Sequence, residues 1–337
     1  MADPALGHNA GGTVSRLFVA FFLLLLGCAE QPRGSVIGDA AHDSTPLIDV
    51  SDDDDPIDRL DGEQSCVAST ITPPAWLESY ERHIVGSLSG EREVSPGVRL
   101  NERGTAPSRQ IARDFLSAEL RSLGLDAQLH DYGSGENVVA TLPSTTRLVA
   151  PRVVLGAHFD SVDIGPGAAD NATGVALVLS AARWLIEVAP CRTHDVIFVL
   201  FDQEEIGLVG SEAFAARLVT EGVEITAVHC FDMLSWDRDS DRTLELWLPT
   251  AEIRDLYAAV AAAHSGRTEV QQFELSDHAS FVERGLPAVG VCEEFVSGDR
   301  TPYYHTANDT YDKVDFNFLG LATTIAVDVV FREITAP

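Results

Sequence analysis

Five short stretches of this 337-residue chain carry side chains suited to holding a pair of metal ions. They are His158-Phe159-Asp160, Ala169-Asp170-Asn171, Gln203-Glu204-Glu205, Phe231-Asp232-Met233 and Tyr304-His305-Thr306. Imidazole and carboxylate bind divalent ions such as zinc, and a catalytic site keeps one position open for water. Two imidazoles and three carboxylates supply five ligands, and one further Glu is left beside them. A paired site with a spare carboxylate base is what metal-assisted hydrolysis requires.

Such residues act together only if the fold gathers them. Arg152–His158 and Asp195–Phe201 read as buried strands, and Glu224–Phe231, Thr243–Leu248 and Pro287–Cys292 as further strands. Helices are expected over Trp76–Leu88, Ser108–Leu123, Ala172–Val188, Leu208–Val219, Ala251–His264 and Phe316–Val330, with Gly124 as a C-terminal stop. Two modest strands are expected near Asp126–His130 and Asn137–Leu142. Continuous β-branched runs alternating with helices predict an α/β domain whose mostly parallel central sheet is covered by helices on both faces. Ligands of such sheets bind beyond the carboxyl ends of the strands. His158 and Asp160, Glu204 and Glu205, and Asp232 all fall at those ends.

The remaining sequence reads as an address and a tether. Arg16 precedes the apolar run Leu17–Leu26, which is too short for a stable bilayer span and has the length of a signal-peptide core. Leu25-Leu26-Gly27-Cys28 resembles a bacterial lipobox, which implies a signal peptide over 1–27 and a lipid on Cys28 holding an exported protein to a membrane. The alternative is an ordinary cleaved signal and a secreted protein. Residues 28–71 include Asp52-Asp53-Asp54-Asp55 and are strongly acidic, a composition expected to form a disordered spacer ahead of a domain over 72–337. The Asp run lacks the Gly and Glu pattern of an EF-hand loop.

The formal charge is −29, of which about −20 belongs to the domain. That argues against nucleic acid as a partner, because phosphate binding needs a basic surface. Cys66 and Cys191 could staple the tether's end to the domain, while Cys230 and Cys292 fall in central strands, where buried thiols are expected. No C-x-x-C pair is present for a thiolate zinc site. His229 is expected in the core, and His130, His194 and His264 as exposed or satisfied structural residues.

In this setting the chain resembles the secreted bacterial co-catalytic zinc aminopeptidases, the leucyl-aminopeptidase-like enzymes. The matching segments are Gly156–Ser161, Gly167–Gly174, Asp202–Gly207 with Gly210-Ser211, Ser276–Phe281 and Tyr304–Thr310. The resemblance implies a zinc-peptidase architecture (phosphorylase/hydrolase-like), two zinc ions per chain and peptide substrates with a free N-terminus; a monomer is expected, although no motif of the sequence sets the oligomeric state. It implies that Asp170 bridges the ions, that His158 and Asp232 complete one, and that Glu205 and His305 complete the other. Asp160 would hold the ring of His158, Glu204 would be the general base, and Tyr304 would stabilise the oxyanion or else merely pack. It also implies a cis peptide bond at Asp170-Asn171. Ser276 or Asp277 would cap a helix or stand behind the site. A glutaminyl cyclase-like acyltransferase with one zinc, a carboxypeptidase, and a receptor-like binding module without catalysis are the rival readings.

Overall fold

The computed structural model describes residues 71–336, so the expectations for the leader, Cys28, the acidic tether and Cys66 lie outside the described residues. Strands β1 (Gln128–Asp131), β2 (Glu136–Leu142), β3 (Arg152–His158), β4 (Asp195–Phe201), β5 (Ile225–Phe231), β6 (Thr243–Trp247), β7 (Arg267–Gln271) and β8 (Ala288–Cys292) form one eight-stranded sheet. Its order is β1-β2-β4-β3-β5-β8-β6-β7. The centre, β4-β3-β5-β8, is parallel. β2 joins it antiparallel at β4, and β6 antiparallel at β8. The sheet is therefore mixed but mostly parallel, as expected.

The apolar runs explain the layering. Along β3, Val153, Leu155 and Ala157 join one core while Val154 joins another, and along β4 Val196, Phe198 and Leu200 alternate with Ile197, Val199 and Phe201 in the same way. A strand apolar on both faces must be covered on both. On one side lie α1 (Leu77–Leu88), α3 (Thr173–Val188), α5 (Ala251–Ala263) and α7 (Phe316–Thr335), with α2 (Ala106–Ser122) feeding the same core. On the other lie α4 (Val209–Glu221) and the short α6 (His278–Val282), whose Phe214 and Phe281 pack on Phe201. Gly156 makes this possible, because a Cβ there would stand 2.4 Å from the Phe201 ring.

Two differences from the sequence reading have physical reasons. β7 carries Arg267, Glu269 and exposed Val270 on a sheet edge, so it has no apolar run to announce it. α3 starts one residue later than expected because Ala168–Ala172 winds as a wide turn with non-helical backbone at Asp170 and Asn171. Cys230 and Cys292 are buried free thiols, as expected, and Cys191 is disulfide-bonded. His229, His264, His194 and His130 each have a partner: Glu333, Asp328, Thr193 and Asn137 respectively. Among the described residues, no helix is long and apolar enough to cross a membrane.

Glu81 on α1 is fully buried. Its Oε1 accepts a hydrogen bond from Thr323 Oγ1 at 2.6 Å, and its Oε2 has no partner. Burial pushes its pKa from 4.5 up to about 8. A carboxyl that binds its proton more tightly when folded gives stability that is complete below the unfolded pKa and lost as pH rises through the folded one. Glu81→Gln is therefore expected to remove a loss of up to about 1.4 kcal/mol per pH unit across that window. Thermal midpoints measured from pH 5 to 8 should fall less steeply in the variant; parallel curves would refute the assignment.

Candidate active site

The carboxyl ends of β3, β4 and β5 bring the five stretches together. His158 closes β3, and the chain runs on through Phe159, whose N–H donates to Phe201 O at 2.8 Å. Asp160 is thereby set against the turn that follows β4. Its two carboxylate oxygens accept the backbone N–H groups of Glu204 at 3.1 Å and Glu205 at 3.2 Å. The same carboxylate lies 3.4 Å from His158 Nδ1. One buried group thus holds the Glu204-Glu205 turn and stands beside the imidazole.

Asp170 comes from the wide turn before α3, and its peptide bond to Asn171 is cis. The turn is held from two sides. Asp309 accepts the N–H groups of Ala169 at 2.7 Å and Asp170 at 3.0 Å. Asn171 donates to Phe231 O at 2.8 Å and accepts from Met233 N–H at 3.2 Å, which fixes the turn to the end of β5. Asp232 follows β5, where Ser276 Oγ donates to its Oδ2 at 2.8 Å. Ser276 therefore stands behind the site, and Asp277 precedes α6 without a side-chain capping bond.

The functional atoms converge in two halves that share one carboxylate. His158 Nε2 lies 3.3 Å from Asp170 Oδ1 and 3.5 Å from Asp232 Oδ1. His305 Nε2 lies 3.2 Å from Asp170 Oδ2 and 3.0 Å from Glu205 Oε2. Glu204 Oε2 is 4.0 Å from His158 Nε2. Tyr304 stacks on the His305 ring at 3.8 Å between centroids. All eight sequence-predicted residues are in this region, and seven of them line one cavity of about 250 Å³; Asp160 lies behind its wall.

The electrostatics fit divalent cations. Burial pushes Glu204 well above the usual carboxylate range, Glu205 to about 8 and Asp277 to about 7, with neighbouring carboxylates adding to each. Burial alone would lower His158, but Glu204, Asp160, Asp170 and Asp232 together raise it well above its ordinary value. A buried site this short of positive charge suits added cations. Each half also offers three donor atoms close enough to share one ion, His158/Asp170/Asp232 and Asp170/Glu205/His305. Asp232 Oδ1 has no hydrogen-bond donor.

Two structural residues escaped the sequence reading. Asp309 acts across about 140 positions of chain, and only its place in the Tyr304–Thr310 segment hinted at it. Arg103 is fully buried and donates to the carbonyls of Phe159 at 2.6 Å, Leu88 at 2.8 Å, Gly167 at 2.9 Å and Pro166. It gathers the β3 end and the loop before Asp170, and nothing in its sequence neighbourhood marks it.

An α/β sheet that gathers imidazole and carboxylate side chains beyond its central strands fits a metal-dependent hydrolase. The model for peptidase family M28 matches residues 137–330, and the chain belongs to that family. It is 29% identical over 196 residues to aminopeptidase YwaD of Bacillus subtilis (strain 168), covering 54% of this chain and 41% of the relative. The chain spans about half the length of the curated relatives it matches. The LapA aminopeptidase of Legionella pneumophila shares the fold, with a TM-score of 0.66 at 20% identity over 80% of this chain and 78% of that one. The glutaminyl cyclase of Porphyromonas gingivalis also shares it, with a TM-score of 0.61 at 19% identity over 79% of this chain and 100% of that one. The fold is thus common to the expected activity and its rival.

Proposed function

We propose that this chain is a zinc-dependent aminopeptidase that removes N-terminal residues from peptides. The observation that carries this reading is Asp170, whose two oxygens face separate imidazole–carboxylate sets. His158, Asp170 and Asp232 would hold one zinc ion, and Asp170, Glu205 and His305 a second. A bound pair would supply Lewis acidity for the scissile carbonyl and would acidify water.

The chain's own residues would do the rest. Asp160 holds the Glu204-Glu205 turn and would fix the His158 ring, as an outer carboxylate does for a ligating imidazole. Glu204, which lines the cavity, would take a proton from the attacking water and return it to the leaving amine. The acidic wall would receive the free α-ammonium group, and Tyr304, which lines the same cavity, would donate its hydroxyl to the carbonyl oxygen as charge develops there. The lipobox-like Leu25–Cys28 supports a lipid-anchored, exported enzyme, and the acidic segment 28–71 supports a spacer.

The zinc-loaded protein should cleave aminoacyl p-nitroanilides and ignore their N-acetylated forms. Equal cleavage of blocked and free substrates would end the aminopeptidase reading. A cyclase would bind one zinc and release ammonia from N-terminal glutamine, so metal quantification separates the two. Asp309 gives a further prediction. Asp309→Asn leaves one acceptor for two N–H donors and should weaken zinc about 10-fold to 100-fold, read by chelator competition. Unchanged zinc affinity would show that the Asp170 turn holds its shape without it.

A further inference from the structure

Glu204 and Glu205 are neighbours in sequence, yet both line the same cavity. In an extended chain adjacent side chains point to opposite faces, so the backbone leaving β4 must turn sharply to present both. Gln203 makes that turn, with a left-handed φ of 65°. Few residues other than glycine adopt this conformation, and Gln203 is buried, so its surroundings must hold it there.

Asp160 holds the side of the turn that faces the histidines. The far side is held by the turn that joins β1 to β2. Tyr132 shares its hydroxyl proton between the carbonyl of Asp202 at 3.0 Å and Gln203 Oε1 at 3.2 Å. Ser134 Oγ donates to the same Oε1 at 3.0 Å. Burial raises the Tyr132 phenol above its ordinary pKa, so it remains a donor. Gly135 leaves room for the contact, because a Cβ there would stand 2.5 Å from the Tyr132 hydroxyl and 2.8 Å from Gln203 Oε1. Asp202 has anchors of its own. Arg109 Nε lies 2.8 Å from its Oδ1, Arg113 Nη1 lies 3.3 Å from its Oδ2, and its N–H donates to Asn137 Oδ1 at 2.9 Å. Removing the two hydroxyls therefore loosens Gln203 while the end of β4 stays in place.

We propose that the β1–β2 turn is a latch for the general base: through Gln203, the hydroxyls of Tyr132 and Ser134 hold the backbone that aims Glu204 into the cavity. Tyr132 and Ser134 are positioning residues, since neither lines the cavity and both act through Glu204. The inference rests on the reading of Glu204 as the base. A base must stand within hydrogen-bond reach of the proton it takes, and a misplacement of about 1 Å costs on the order of 100-fold in rate. A preceding residue free to leave its left-handed turn supplies such a misplacement. Glu205 is less exposed to it, because its Oε1 accepts Val162 N–H at 3.0 Å.

The test combines Tyr132→Phe/Ser134→Ala with Glu204→Gln in the zinc-loaded protein, assayed on leucyl p-nitroanilide. With Glu204 present, the paired change should lower kcat about 10-fold to 100-fold, with KM and bound zinc near the wild-type level. With Glu204→Gln, the same paired change should alter kcat by less than about 2-fold, because a residue that acts through another then has nothing to act on. Amide hydrogen exchange gives a readout independent of turnover. In Tyr132→Phe/Ser134→Ala the segment 202–206 should exchange at least several-fold faster, while β3 and β5 keep their wild-type rates. Equal losses of kcat in both backgrounds would show a general structural role and overturn the inference. Unchanged exchange over 202–206 would overturn it as well. No turnover by the wild type, or full turnover by Glu204→Gln, would sink the aminopeptidase or base reading instead, and the exchange rates would still decide whether the latch holds the turn.

Discussion

Glu204→Gln is expected to lower kcat about 100-fold to 10,000-fold, the span that a positioned general acid–base supplies, while bound zinc stays at the wild-type level. The two halves of that expectation come from different distances. Glu204 Oε2 stands 4.0 Å from His158 Nε2, farther than Asp170 or Asp232, and Glu204 belongs to neither of the two three-residue sets proposed as the ion sites. It nonetheless lines the same cavity as both. Its backbone N–H is held by Asp160, so the amide variant keeps the same turn and the same reach. What glutamine lacks is the capacity to accept a proton and give it back. KM should change little, because the variant removes an interaction that matters while bonds are changing. Full activity would remove Glu204 from the chemistry. Activity lost together with zinc would move it into the ligand set.

How far the sequence showed this site follows from how each residue is placed. His158, Asp160, Glu204, Glu205 and Asp232 end or follow β3, β4 and β5, and those strands are apolar runs that identify themselves. Strand ends of a parallel sheet meet at one edge, so periodicity alone brought these residues together. Asp170 and His305 lie outside the strands: residue type marked them as candidates, but no strand end placed them with the others, and the resemblance assigned their roles. Arg103 and Asp309 were not legible as braces because their partners are backbone groups far along the chain, Phe159 and Ala169 among them. Backbone partners leave no trace in residue type. The hold of Tyr132 on Gln203 was hidden for a related reason: the two lie 71 positions apart, and a tyrosine in the turn between two strands reads as surface. The polar edge strand β7 had no apolar alternation to reveal it.

Asp170→Asn should be the more damaging change for metal, with zinc affinity falling by more than the roughly 10-fold to 100-fold typical of an outer-shell residue. Both oxygens of Asp170 are engaged, one 3.3 Å from His158 Nε2 and the other 3.2 Å from His305 Nε2. Asp232 Oδ1 lies 3.5 Å from His158 Nε2 and Glu205 Oε2 lies 3.0 Å from His305 Nε2, whereas Asp170 presents one oxygen within ion-pair distance of each ring. Asparagine retains the shape but presents an oxygen to one half and an NH2 group to the other, with no charge for either. The backbone anchors from Asp309 do not depend on the side chain, so the turn should persist and the loss should be specific to the ions. Asp232→Asn is the informative contrast, because it alters one half and leaves the shared carboxylate in place. Zinc titration by calorimetry should then show both binding events weakened in Asp170→Asn and one in Asp232→Asn. Two unaltered events in Asp170→Asn would refute the bridge, and a single event in the wild type would refute the paired site and return the cyclase-like reading to the front.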